Sequence, residues 1–122
     1  MTVLANGPAV LCWPVNYMII HYLANFFAGL FICNCIPHLT SGLRGEPFPT
    51  PFARPRGVGL SSPLVNFLWG TLNGVIGIAL LAWRPIVLRV NLETASFLTG
   101  FLLLGIYSSL HFGAVRKSGP GN

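Results

Sequence analysis

An all-α membrane protein of three transmembrane helices, with an ordered proline-rich loop between the first two, is the fold class this sequence predicts. Three observations carry that expectation. The chain of 122 residues is 53% hydrophobic and only 7% charged, where a water-soluble domain holds roughly 25% charged residues. It contains no Asp, two Glu (Glu46 and Glu93) and one Lys (Lys117), too little polar side chain to cover a surface facing water. Its apolar residues also gather in three runs, each meeting the ~20-residue length that a bilayer requires. At this length a single integral membrane domain over 1–122 is expected.

The first span is expected over 15–37. Pro14 suits the start of a helix, and Pro37 with Gly42 is read as the stop. Residues 1–14 are apolar but broken by Gly7, Pro8 and Pro14, which reads as an interfacial arm. No basic segment precedes the first run and it continues at full length to Cys33, so a cleavable signal peptide is not expected. The second span is expected over 63–83, with Ser62 as cap, Pro63 in the first helical position and Arg84-Pro85 as the end. The third is expected over 92–112, with Asn91 as cap, Glu93 in the favourable first turn and Gly113 just past the end. That leaves a loop at 38–62 and a short basic tail at 113–122.

Three spans put the termini on opposite sides. Arg44, Arg54, Arg56, Arg116 and Lys117 fall on the side of the loop and tail, against Arg84 and Arg89 on the other. The positive-inside rule then predicts N-out and C-in, with the loop in the cytoplasm. The formal charge of +5 belongs to topology and anionic headgroups. A nucleic-acid binder clusters its basic residues on one water-facing surface, so no nucleic-acid partner is expected.

At about 100° per residue each span has one small-and-polar stripe. His21, Asn25, Ala28, Ile32 and Cys35 share a face of the first, and Asn66, Gly70, Asn73 and Gly77 a face of the second. Ser96, Gly100, Leu104, Tyr107 and His111 line up on the third, and Gly70 to Gly74 is a G-x-x-x-G step. In lipid, small residues let helix backbones approach, and an interhelical hydrogen bond contributes ~0.6–2 kcal/mol. Asn25, Ala28, Asn66, Gly70, Asn73, Gly74, Gly77 and Gly100 are therefore read as helix-interface residues. The sharper alternative has Asn25, Asn66, Asn73 and His21 facing a solvated path, which in so thin a unit requires an oligomer or a larger partner.

Chemistry-bearing residues are few. The first and third spans run in one direction, so His38 and His111 arrive at the same interface, with Cys35 and Glu46 within reach. Imidazole, thiolate and carboxylate form a metal ligand set, and two histidines can ligate haem. Against this, Cys33 and Cys35 point about 200° apart on a helix, and an interfacial His beside Pro37 also serves as a cap for freed carbonyls. With Cys12 the thiols number three and suggest no disulfide framework. His21 is the ionisable group placed well inside a span, a functional candidate by default, with a neutral His bonded to a neighbouring Asn as the bland alternative. No catalytic constellation is found: paired carboxylates are missing, Gly59-Leu60-Ser61-Ser62 is not a nucleophile elbow, and there is no P-loop.

The stretch GEPFPTPFARPRGVGLSSP, 45–63, holds five prolines, three glycines and two phenylalanines. Arg54, Arg56, Gly57, Gly59, Ser61 and Ser62 combine guanidinium groups, permissive backbone, hydroxyls and a helix N-terminus. Those are the ingredients of an anion site, with a lipid phosphate the anion expected at this leaflet. A flexible turn with a Ser cap and two topology-setting arginines is the plain alternative. Pro47 to Phe52 is expected to run as stiff polyproline II at ~3.1 Å per residue. Phe48, Pro49, Pro51 and Phe52 would then form a docking element, since a floppy linker would be rich in Gly and Ser.

Pro37-His38 with Gly42, FPTPF at 48–52 and GVGLSSPLVNFLWG at 57–70 together resemble a group of short uncharacterised bacterial membrane proteins. The likeness covers roughly residues 24–75. It implies a small multi-span protein of the bacterial inner membrane and brings no activity, ligand or catalytic residue. The expected function is that of a non-enzymatic homo-oligomer or accessory subunit of a larger membrane complex, whose loop at 44–62 binds lipid headgroups or a partner. Two alternatives stand beside it. One is a cofactor-binding subunit of a redox or light-harvesting complex, holding haem, a chlorophyll-type pigment or a metal through His38, His111, Cys35 or His21. The other is an oligomeric channel or transporter.

Overall fold

The computed structural model describes residues 13–119. All of the arm expected at 1–14 except Trp13 and Pro14, the last three residues of the tail, and Cys12 lie outside the described residues. Three helices carry the fold: α1 Val15–Leu43, α2 Pro63–Trp83 and α3 Leu92–Ser118. Each is long and apolar enough to cross a membrane. Between α1 and α2 lie two short strands, β1 Phe48–Pro49 and β2 Leu60–Ser61.

The first helix does not stop at Pro37. It runs on for six residues to Leu43 with Pro37 inside it. An interior proline costs about 3 kcal/mol relative to alanine, and tertiary packing offsets it here. His38 beyond the proline is buried, Leu39 lies against Gly70 of α2, and Gly42 lies against the backbone of Pro63 and Phe67. The actual stop is Gly45, at φ 71°, where a side chain would be strained. Its N–H donates to the Gly42 carbonyl (3.2 Å) and the Glu46 N–H to the Ser41 carbonyl (2.9 Å), the two bonds of a Schellman cap. At 1.5 Å per residue α1 is about 44 Å long, against a hydrocarbon core of about 30 Å. It is therefore longer than a bilayer crossing requires.

The second helix follows its sequence signals. Ser62 is the cap and accepts from the Val65 N–H (3.2 Å), and Pro63 opens the helix. The third begins at its Asn91 cap, which accepts from the Thr94 N–H (2.9 Å). It then continues through Gly113 to Ser118, so most of the expected tail is helical. A glycine inside a helix costs only about 1 kcal/mol, too little to end one. Arg116 and Lys117 occupy the last turn, where cations suit the negative end of the helix dipole.

α1 is the central element. α2 packs antiparallel on one side of it and α3 parallel on the other, while α2 and α3 share almost no contact. The buried residues of α1 are Ala24, Asn25, Ala28, Gly29 and His38; those of α2 are Asn66, Gly70, Asn73 and Gly77, and that of α3 is Gly100. The interior is thus made of small and polar side chains, and the large apolar ones face outward. That inversion is what a lipid solvent favours, because burying leucine gains nothing there and close backbone packing does.

The strands pair antiparallel, Phe48 opposite Ser61 and Pro49 opposite Leu60. The stiff rod expected from Pro47 to Phe52 therefore ends early. The chain turns at Thr50, where the Ala53 N–H donates to the Thr50 carbonyl (3.2 Å) and the Phe52 N–H to the Thr50 hydroxyl (3.3 Å). Alternating prolines exclude a helix here and leave the intervening residues free to bond. Two residues of edge pairing are within what such a segment tolerates.

Candidate functional site beneath the hairpin

The hairpin folds back over the ends of the helices, and Asn66 in the first turn of α2 fastens it. Asn66 is fully buried. Its amide nitrogen donates to the carbonyls of Phe48 (2.9 Å), Ser61 (3.2 Å) and Ser62 (3.1 Å), so one side chain ties both strands to the helix start. The three carbonyls fix which amide atom is nitrogen. The remaining oxygen must accept, and it lies 2.8 Å from Nδ1 of His38. A neutral His38 therefore carries its proton on Nδ1 and presents Nε2 as a lone pair.

Aromatic rings complete the lock. Phe48 stands edge-on to His38 (5.3 Å between centroids) and packs on Phe112 of α3 (4.7 Å). Phe52 meets Trp69 of α2 edge-on at 5.1 Å. His111 of α3 donates from Nε2 to the Gly57 carbonyl (2.8 Å) and stacks on Tyr107. One turn further along α1, the Asn34 amide donates to Asn73 Oδ1 (2.9 Å), and Asn73 donates to the Trp69 carbonyl (2.8 Å). Asn34 and His38 of α1, Trp69 of α2, Tyr107 and His111 of α3, and the hairpin with Arg56 line an open cleft of about 310 Å³.

The predicted anion-binding residues divide. Ser62 caps α2, and Ser61 shares a short hydrogen bond with the Thr50 hydroxyl. Gly57, at φ 69°, offers its carbonyl to His111, and a methyl at Gly59 would overlap the Arg54 carbonyl. Glycines and serines alike are thus engaged inside the hairpin, while Arg54 and Arg56 remain exposed. The docking residues divide too: Pro49 is buried, Phe48 half-buried inside the fold, and Pro51 and Phe52 are exposed.

Of the metal or haem candidates, His38 and His111 line the same cleft. Cys35 instead packs against Gly74 on the α2 side. His21 sits at the opposite end of the molecule, where its Nε2 donates to Glu93 (3.0 Å). Among the described residues no three His, Cys, Asp or Glu side chains converge. At that far end Arg84 lies over the rings of Tyr17 (4.1 Å) and Trp83 (4.5 Å), and the Val87 N–H donates to Glu93 (3.2 Å).

The interface candidates Asn25, Ala28, Asn66, Gly70, Asn73, Gly77 and Gly100 are all buried, with Gly74 half-buried. Gly70, Gly74 and Gly77 lie in turn against Leu39, Cys35 and Ile32 of α1. Gly29 was not singled out by its sequence context, yet a methyl there would overlap the Phe97 carbonyl, as one at Gly100 would overlap that of Phe26. The signal was present: Gly29 lies four residues past Asn25, on the same helix face. Thr50, buried in the hairpin turn, and Asn34 were likewise missed. Compared with known proteins, the chain matches no family model, curated protein or solved structure.

Proposed function

We propose that this chain is a small integral protein of the bacterial inner membrane, oriented N-out and C-in, that works without catalysis as a homo-oligomer or as an accessory subunit of a larger membrane complex. Its hairpin is the element that engages lipid headgroups or a neighbouring subunit. The observation that carries this reading is the fixed shape of the hairpin. Asn66 holds both strands from beneath, while Phe52 (63% exposed), Val58 and Leu60 face outward beside Arg54 and Arg56. Apolar and guanidinium groups side by side suit the boundary between acyl chains and phosphates.

Cross-linking in native membranes, followed by native mass spectrometry, tests the proposal. Homo-oligomers or a constant partner are expected, and a strict monomer free of partner and lipid would sink it. A fluorescent-protein fusion at the C-terminus reads the orientation, with fluorescence expected only if that end is cytoplasmic. A pigment- or haem-binding subunit is the second reading, favoured by His38 and His111 lining one cleft. A visible absorption band in the purified protein would decide for it.

A further inference from the structure

We infer that the cleft beneath the hairpin is a binding site for a glycerophosphate group, a phosphate ester bearing free hydroxyls. The phosphate oxygens face Arg56 and a hydroxyl donates to Nε2 of His38. The inference rests on reading the hairpin as a headgroup-binding element, and it moves the contact from the outer surface to the cleft.

Charge selects an anion. Among the described residues no carboxylate lines the cleft, whereas Arg56 does. Arg44 is paired with Glu46 at 2.6 Å, and among the described residues Arg56 has no such partner. A cation is disfavoured by the same guanidinium and by the lack of acidic ligands.

Hydrogen bonding selects a hydroxyl as well. His38 is only 3% exposed, and its tautomer is dictated by Asn66, whose oxygen takes the Nδ1 proton. No described residue bonds its Nε2. That lone pair, in a cleft-lining side chain, is free to accept from a donor on the occupant. A phosphodiester with no O–H cannot supply one, whereas a glycerol hydroxyl can. Trp69, whose ring stands edge-on to that of His38 at 6.4 Å and also lines the cleft, carries a buried indole N–H without a partner among the described residues.

Size and place agree. A cleft of about 310 Å³ stands at the bottom of the roughly 300–1,000 Å³ range of ligand pockets, enough for a headgroup. It sits at the end of the molecule with the greater number of basic residues. Its lining includes residues of α2 and α3, which barely touch. The same group is available from phosphatidylglycerol or from water-soluble glycerol phosphate.

The test uses the full chain in mild detergent, with native mass spectrometry and titration of phosphatidylglycerol, phosphatidylmethanol, phosphatidylcholine and free glycerol phosphate. Phosphatidylglycerol is expected to bind about tenfold more tightly than phosphatidylmethanol, which has the charge without the hydroxyls. Arg56→Gln should weaken phosphatidylglycerol by about tenfold or more, and Arg54→Gln, also exposed but outside the cleft, by less than about twofold. Competition by free glycerol phosphate assigns the source to water, and its failure to compete assigns it to the bilayer. Equal losses in the two arginine variants, or equal binding of phosphatidylmethanol, overturn the cleft while leaving the hairpin as a headgroup surface. Binding of none of the four probes also overturns it, and the docking reading is then judged by cross-linking alone.

Discussion

Along one side of α1, side-chain hydrogen bonds tie it to α2; along the other, α3 rests on it backbone to backbone. The α2 side has Asn34 with Asn73, and His38 with Asn66, over a stripe of glycines facing Leu39, Cys35 and Ile32. The α3 side has Gly29 against Phe97 and Gly100 against Phe26, and its polar tie is His21 with Glu93 near one end. The difference teaches how register is set in lipid, where apolar burial cannot set it. Paired amides have one satisfying alignment, because sliding by a turn leaves donors buried without acceptors. Reciprocal glycines set register by shape, since only at those positions do the backbones come this close.

Breaking the shape-determined seam has the largest expected effect. Gly100→Leu sets a side chain where the Phe26 carbonyl lies, and backbone cannot swing aside as a side chain does. A loss of about 3 kcal/mol is expected, the upper end for overpacking, measured by unfolding in detergent. An unchanged midpoint would mean that α3 does not rest on α1 at this point.

Asn66→Ala comes next. It leaves the His38 Nδ1 proton and the carbonyls of Phe48 and Ser61 without the Asn66 side chain, while the Ser62 carbonyl keeps the backbone N–H of residue 66, at a cost of about 2 kcal/mol. Its sharper signature is local. With the hairpin released, trypsin should cut after Arg56 much faster than in the parent protein, while cutting after Arg116 changes little. Equal acceleration at both sites would argue for general unfolding instead.

A milder perturbation separates register from attachment. Asn73→Leu removes the acceptor for Asn34 while keeping the glycine stripe, with an expected loss of about 1 kcal/mol in the range for interhelical bonds. The trypsin pattern at the hairpin should stay as it was, because Asn66 is untouched.

Glu93→Gln has the smallest expected effect. It removes the carboxylate that accepts from His21, but the Glu93 side chain is 30% exposed, and pairs open to solvent contribute about 0–1 kcal/mol. A loss above 2 kcal/mol in unfolding would show that the α3 seam depends on this charge and not on its glycines.

Much of the fold was legible from local signals. Ser62-Pro63 and Asn91 open α2 and α3 where a capping hydroxyl or amide is needed, because an N-cap is a contact within four residues. The stripe Asn66, Gly70, Asn73 and Gly77 follows from helix periodicity, and these are the buried residues of α2. The misread ends have different causes. Gly113 is only a weak breaker, whereas Pro37 is a strong one that α1 passes because its far turns have α2 to pack on. Gly45, whose left-handed backbone closes α1, was read as part of the loop.

Residue types, periodicity and caps alone determined that this chain forms three apolar helices, each with a small-and-polar face, joined by a segment unable to be helical. Those properties are local, or depend on which solvent the side chains suit. Tertiary structure alone decided that α1 lies in the middle, that the proline segment turns at Thr50 and pairs with Leu60-Ser61, and that Asn66 binds His38 beneath it. These contacts join residues far apart in sequence, and their partners are chosen by which donors and acceptors remain unpaired once the helices have met. The Nε2 of His38 is one such remainder. The tautomer that leaves it unprotonated follows from three carbonyls contributed by residues 48, 61 and 62, which no local pattern connects to residue 38.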